Sequence, residues 1–324
     1  MNFTWFASAY DCDDVPYRLA TLVQIAGVQV FAAGVPRAFE EDWTIAVIGY
    51  LLMRAALTAQ WLRAARAETG SARRAALTYA AGLVACQTGW VILLFVPDGL
   101  RQWLFLLMVA AELSVPMLAE RHHPTPWHPH HIVERYGLFT IIVLGETIAA
   151  GTVAVQSAVD EHSAWDELLP LAAGGLLIVF AAWWIYFAVP AHQRLNSNRE
   201  AIPWGYGHYV IFGSAAAIGA GMEVAVEHAV GKAEISQVTA NASVTIPVAV
   251  FLLTVWLLHA RFFKTTVAQQ LVLPLSCLVI LLCTYGGEWA VPATGLVLAA
   301  SVAIGLALSA RPSANDPSSP ALSI

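Results

Sequence analysis

The amino-acid sequence predicts an all-α fold, a polytopic bundle of about ten membrane-spanning helices with both termini in the cytoplasm. Three observations carry this prediction. The first is composition: of 324 residues, 58% are hydrophobic and 12% charged, with a mean hydropathy of +0.65. A soluble domain carries about 25% charged residues, so this chain has too little charge to cover a water-facing surface. The second is that apolar runs of about 20 residues, the length that crosses a bilayer core, recur along the chain. The third is the segregation of Lys and Arg to alternate connections.

Apolar stretches between charged or Pro-rich punctuation place the spans at 17–35, 43–62, 75–96, 103–119, 131–155, 168–188, 204–228, 241–261, 267–285 and 290–309. The first opens at Pro16 after the acidic turn Asp11, Asp13 and Asp14. The second and third flank Arg63, Arg66, Arg73 and Arg74; the fourth ends before Arg121, and the fifth follows a His- and Pro-rich stretch. An acidic connection with Asp160, Glu161, Asp166 and Glu167 separates the fifth from the sixth, and Arg194 and Arg199 precede the seventh. The eighth closes at Arg261 and Lys264, and the tenth stops before Arg311. Residues 1–310 thus read as a single transmembrane domain and 311–324, rich in Pro, Ser and Ala, as a disordered cytoplasmic tail. No cleavable signal peptide is visible, since the start lacks a basic region before an apolar core.

With Arg18 and Arg311 added, one side of this topology receives eleven basic residues, and the other only Arg37, Arg101 and Lys232. The positive-inside rule puts the first side in the cytoplasm, so the localisation expected is a multi-pass protein of the bacterial inner membrane. Trp61, Trp127, Trp183, Trp184 and Trp204 fall near the inner boundary and Trp43, Trp103, Trp165 and Trp289 near the outer one, which reads as two belts of interfacial anchors. The partner this implies is the lipid bilayer. A net charge of −6 offers no basic face for nucleic acid. Cys12, Cys86, Cys277 and Cys283 form no CxxC pair and read as small core residues.

Polar residues inside spans are the informative ones, because an ionised side chain in hydrocarbon costs at least about 2.5–3.5 kcal/mol. Arg54, Glu112 and Glu146 lie deep, whereas Glu134, Arg135, His208 and Glu227 lie near span ends, where snorkelling explains them; Glu223 completes the set. On a helix His131, Arg135 and Glu146 share one stripe, with Arg135 and Glu146 about 16 Å apart along the axis. Gly145, with Ala149 one turn on, offers a small-residue surface for close helix approach, so Glu146 is expected in a tight contact. Two readings stand side by side. Glu112 and Glu146 can pair with Arg54 and Arg135 to fix helix register, or the polar residues Arg54, Glu112, His131, Glu134, Arg135, Glu146, His208 and Glu223 can line a mid-membrane path for a proton, ion or small solute.

Five of the ten histidines fall within residues 122–131. Imidazoles ligate transition metals, which makes His128, His130 and His131 candidate ligands, although their spacing matches no metal motif. Asp11, Asp13 and Asp14 form a possible cytoplasmic entrance that attracts cations; an exposed acidic turn ahead of a helix is the simpler account. HExxH, GxSxG, the P-loop and GxGxxG are all absent, so no enzyme signature or cofactor is read.

The stretch Trp127-His128-Pro129-His130-His131-Ile132-Val133-Glu134-Arg135-Tyr136-Gly137-Leu138-Phe139-Thr140-Ile141-Ile142-Val143-Leu144-Gly145-Glu146 resembles the H-x-x-E-R-x-G-L-F-x-I-I-x-L-G-E pattern of the bacterial low temperature requirement A family. Supporting stretches are DCDDVPYR from Asp11 to Arg18, Ala182 to Phe187 (AWWIYF), and Tyr206-Gly207-His208-Tyr209 with the later Glu223. The resemblance spans nearly the whole chain. It implies a further amino-terminal pair of helices, one with an E-L-F-F-D-L core and one rich in Trp; Met1 enters where the second would end, at Phe3-Thr4-Trp5-Phe6. The family name implies a link to growth in the cold and no settled substrate. Three functions follow as expectations: a transporter- or channel-like protein, a non-catalytic membrane component for stress tolerance, or a metal-dependent intramembrane enzyme.

Overall fold

A computed structural model describes residues 2–121, 123–160 and 165–310. Among the described residues there are eleven α-helices and no strand: α1 Asn2–Tyr10, α2 Val15–Phe39, α3 Thr44–Ala67, α4 Gly70–Leu93, α5 Asp98–Ala119, α6 Pro129–Asp160, α7 Trp165–Phe187, α8 Asn198–Ala229, α9 Gln237–Leu258, α10 Val267–Cys283 and α11 Ala290–Ser309. Helices α2 to α11 answer one for one to the ten expected spans. Eight stretches among the described residues are long and apolar enough to cross a membrane. The 17-residue α10 is a shorter apolar helix, and α6, at 32 residues, exceeds the length a bilayer core requires. The tail 311–324 and residues 161–164 of the acidic connection lie outside the described residues.

The chain gathers into two compact units, Met1–Ile132 and Val133–Ile324. In the first, α2, α3, α4 and α5 pack each on the next. Asp14 starts α2 by accepting a hydrogen bond from the Tyr17 amide at 3.0 Å, with Pro16 in the first turn. Glycines let α2 and α3 touch backbone to backbone: a Cβ on Gly34 would stand 2.3 Å from the Ala46 nitrogen, and one on Gly49 2.2 Å from that of Phe31. A buried pair, Gln24 Nε2 donating to Gln60 Oε1 at 2.9 Å, ties the same two helices with neutral groups. The short α1 seats Phe6 against Trp61 at 4.9 Å, and Trp61 stacks on Tyr79 with ring centroids 3.9 Å apart.

In the second unit α8 packs on α9, α9 on α10, α10 on α11 and α11 on α7. Gly221 lies against the Ser243 carbonyl, where a Cβ would come within 2.0 Å, and Gly174 lies against Pro292. A capping box of Thr266 and Gln269 opens α10. Buried Asn241 donates to the carbonyls of Thr284 and Gly287 at 3.0 and 2.9 Å, fastening α9 to the connection between α10 and α11. Thr147 of α6 lies over Gly219 of α8.

Two tryptophans depart from the interfacial reading. Trp61 and Trp204 are buried in protein, because each has aromatic partners that replace lipid headgroups as neighbours, whereas Trp103 and Trp289 stay exposed. All four cysteines are free; Cys86 and Cys277 are buried and Cys12 is exposed.

Candidate functional site

The polar residues expected inside the membrane separate into distinct settings. In the first unit, Arg54 stands near the middle of α3 and Glu112 in the second half of α5. Both are buried or nearly so, and Arg54 Nη2 lies 2.8 Å from Glu112 Oε1. The Trp90 indole N–H of α4 donates to Glu112 Oε2 at 2.9 Å. Arg54 also donates to the Tyr50 hydroxyl at 2.6 Å, and its guanidinium lies over the Tyr50 ring, 4.7 Å from the centroid. Three helices therefore meet on one ion pair, as the pairing of Glu112 with Arg54 anticipated. One turn before Trp90, on the same face of α4, Gln87 is buried with neither side-chain oxygen nor nitrogen hydrogen-bonded among the described residues.

The second expected pair does not form in the same way. Glu134, Arg135 and Glu146 are exposed and His131 is half-buried on α6. Because α6 is one continuous helix, eleven residues separate Arg135 from Glu146 by about 16 Å, far beyond ion-pair reach. The tight contact expected at Glu146 is also absent among the described residues: a Cβ on Gly145 would meet nothing within 4 Å. The close contact of α6 comes instead from Thr147, one residue on, which turns toward α8. On α8, Glu223 and Glu227 are exposed.

His208, read as a residue that snorkels near a span end, is fully buried instead. Its Nδ1 lies 2.7 Å from the Trp204 carbonyl and its Nε2 3.0 Å from the Tyr186 hydroxyl. A carbonyl can only accept, so Nδ1 carries the proton and Nε2 accepts from Tyr186. The Tyr136 ring meets His208 edge-on at 4.9 Å, and Trp204 stacks near-parallel on His259 at 5.7 Å. His259, just past the end of α9, is buried among the rings of Tyr186, Trp204 and His208. Sequence reasoning missed His259, although a histidine next to the apolar run of α9 was a signal of the kind that marked His208. It likewise missed Gln87, whose uncharged amide was passed over beside the ionisable groups.

At the expected cytoplasmic entrance, Asp11, Asp13 and Asp14 do not converge on a common point. Asp13 takes two hydrogen bonds from Arg18, both 2.9 Å, and Asp14 takes two from Arg63 while capping α2; Asp11 accepts from the Asp13 amide. The Arg18 guanidinium holds the Asp13 carboxyl below its usual range, and Arg63 does the same for Asp14. Nearby, the Tyr10 hydroxyl is pushed up to about 12, first by burial and then by Glu68 and Glu120. His128, His130 and His131 do not gather into a metal-binding group of three or more among the described residues.

The family model described as "Bacterial low temperature requirement A protein (LtrA)" matches residues 1–310. A curated protein of Rhizobium meliloti (strain 1021), itself described as uncharacterized, is 24% identical over 246 residues. That match covers 70% of this chain and 59% of the relative. No solved structure matches.

Proposed function

The chain belongs to the bacterial low temperature requirement A family, and from that premise we propose that it is a transporter- or channel-like integral membrane protein of the bacterial inner membrane. It handles a proton, ion or small solute at a polar site inside the bilayer, in support of growth in the cold. The observation that carries this reading is the Arg54–Glu112 pair, sunk in mid-span, with the Gln87 amide, partnerless among the described residues, one turn from its tryptophan partner. Register alone is fixed more cheaply in the same unit by Gln24 and Gln60, which involve no charge. A buried amide with no partner is a place where a polar solute's hydrogen bonds would be answered. Glu146 and Glu223, exposed on α6 and α8, are the second unit's own candidate carboxylates for such a site.

The reading is tested in proteoliposomes carrying the wild type, Glu112→Gln or Glu146→Gln, with a pH-sensitive dye and imposed proton, sodium or potassium gradients. Wild type should dissipate one gradient faster than empty vesicles, and at least the Glu112→Gln protein should fall to the empty-vesicle rate. Correctly inserted wild type that moves none of these ions, nor a panel of small solutes, would contradict it. Reporter fusions after Arg66 and Arg199 should report cytoplasm and one within residues 160–167 the outside; an external signal at Arg66 would reverse the proposed orientation.

A second reading, a non-catalytic membrane component, draws on how completely Tyr50, Trp90 and Arg54 enclose Glu112. On that reading the pair clamps α3, α4 and α5, and its loss costs stability alone.

A further inference from the structure

A cavity of about 440 Å³ opens in the second unit, within the roughly 300–1,000 Å³ range of small-molecule sites. It lies where the turn Ala191–Arg194, the first turns of α8 and the end of α9 meet. Three arginines line it: Arg194, Arg199 and Arg261. None of them makes an ion pair with a carboxylate among the described residues. Arg194 and Arg261 are held by the Phe262 ring instead, their guanidinium carbons 3.2 and 4.5 Å from its centroid. Among the described residues Glu200 is the only acidic one in the wall, and its carboxylate accepts from the Asn196 amide at 3.0 Å. The cavity therefore carries an excess of two positive charges, from three arginines and one glutamate.

A second feature is independent of those charges. Trp204 forms part of the same wall. The remaining wall is apolar, with Leu257, Leu258 and Phe263 beside the arginines. Unneutralised guanidinium groups and adjoining apolar surface are the complement of a phosphate joined to a hydrocarbon chain.

We propose that this cavity binds a phosphate group, the headgroup of an anionic phospholipid from the leaflet at the basic face of the protein. The guanidinium groups of Arg194, Arg199 and Arg261 meet the phosphate oxygens, and Leu257 and Leu258 meet the first methylenes of the chains. A soluble phosphate ester shares the headgroup chemistry and lacks the chains. This site is separate from the ion pair of the first unit and stands whether or not that pair supports transport.

The test uses the full chain, purified in detergent, as wild type and as the double variant Arg199→Gln/Arg261→Gln. Short-chain phosphatidylglycerol, short-chain phosphatidylcholine, inorganic phosphate and glycerol phosphate are added separately, and binding is read by native mass spectrometry and thermal shift. Phosphatidylglycerol should bind wild type and raise its melting temperature, and phosphatidylcholine should do neither. The double variant should weaken phosphatidylglycerol binding about 25-fold, about fivefold for each arginine removed. Arg73→Gln, a basic residue of the first unit, should leave binding unchanged and so separate the cavity from general surface charge. If glycerol phosphate binds as well as the lipid and depends on the same arginines, the phosphate site stands and the lipid as its source is overturned. Equal phosphatidylglycerol binding by wild type and the folded double variant, or equal binding of phosphatidylcholine, would overturn the proposal.

Discussion

The two units bury polar groups by opposite means. The first sinks a carboxylate and a guanidinium into its centre and neutralises each with the other, 2.8 Å apart. Among the described residues, the second buries two imidazoles with no counter-charge in contact, and fixes His208 in one tautomer through a main-chain carbonyl and a tyrosine hydroxyl. An imidazole can enter a low-dielectric interior as a neutral group, and a guanidinium cannot. The Arg54 and Glu112 charges enter the interior where each meets the opposite sign from a neighbouring helix, and disruption should be most severe there.

The largest expected effect follows from breaking that compensation. Glu112→Ala strands Arg54 in the interior and should cost about 3–5 kcal/mol, read as a fall in unfolding midpoint in detergent. A loss no greater than at an exposed carboxylate such as Glu227 would show that the pair is open to water. The glycine contacts come next. Gly34→Ala and Gly221→Ala each drive a methyl into a neighbouring backbone and should cost about 1–3 kcal/mol, whereas Gly145→Ala, facing open space, should change stability by at most about 0.5 kcal/mol. In the second unit, Tyr186→Phe removes the donor to His208 Nε2 and should cost about 1–3 kcal/mol, less than Glu112→Ala because no charge is stranded. The contrast between the units fails if the two substitutions prove equal.

The smallest effect is at the acidic turn. Asp14 is held below its usual range by Arg63 in the folded chain, so its contribution to stability is complete above the unfolded value near about 4 and is lost as pH falls through the lowered one. Melting curves of wild type and Asp14→Asn should differ by a small constant amount at neutral pH and converge in acid. A gap that widens as pH falls would assign the stabilisation elsewhere.

Helices were largely legible in the sequence, because a span declares itself by length and apolarity: the expected 43–62 and 290–309 are Thr44–Ala67 and Ala290–Ser309 in the fold. Arg54 and Glu112 were legible for the same reason, as charges with nothing nearby in sequence to excuse them. Their aromatic partners Tyr50 and Trp90 were not, since an aromatic residue in a span is chemically ordinary until a carboxylate stands beside it. Small-residue spacing pointed to Gly145 as a contact, but helix periodicity shows which residues share a face and not which face meets a neighbour; Thr147 is the one that turns inward. The arginines around the cavity were read only as markers of topology, because their convergence depends on how the ends of α8 and α9 meet.

The central claim is that the Arg54–Glu112 pair serves more than helix register, and replacing both partners by apolar residues tests it most directly. In Arg54→Met/Glu112→Leu no charge is stranded, and such exchanges are often neutral or stabilising by about 1–4 kcal/mol. Unfolding midpoint and ion flux are measured on the same preparation, with cold-growth complementation of a strain lacking the gene. The account predicts a double variant at least as stable as wild type that neither moves ions nor restores growth. A stable double variant with full flux and full growth would contradict it and leave the pair as a clamp between helices.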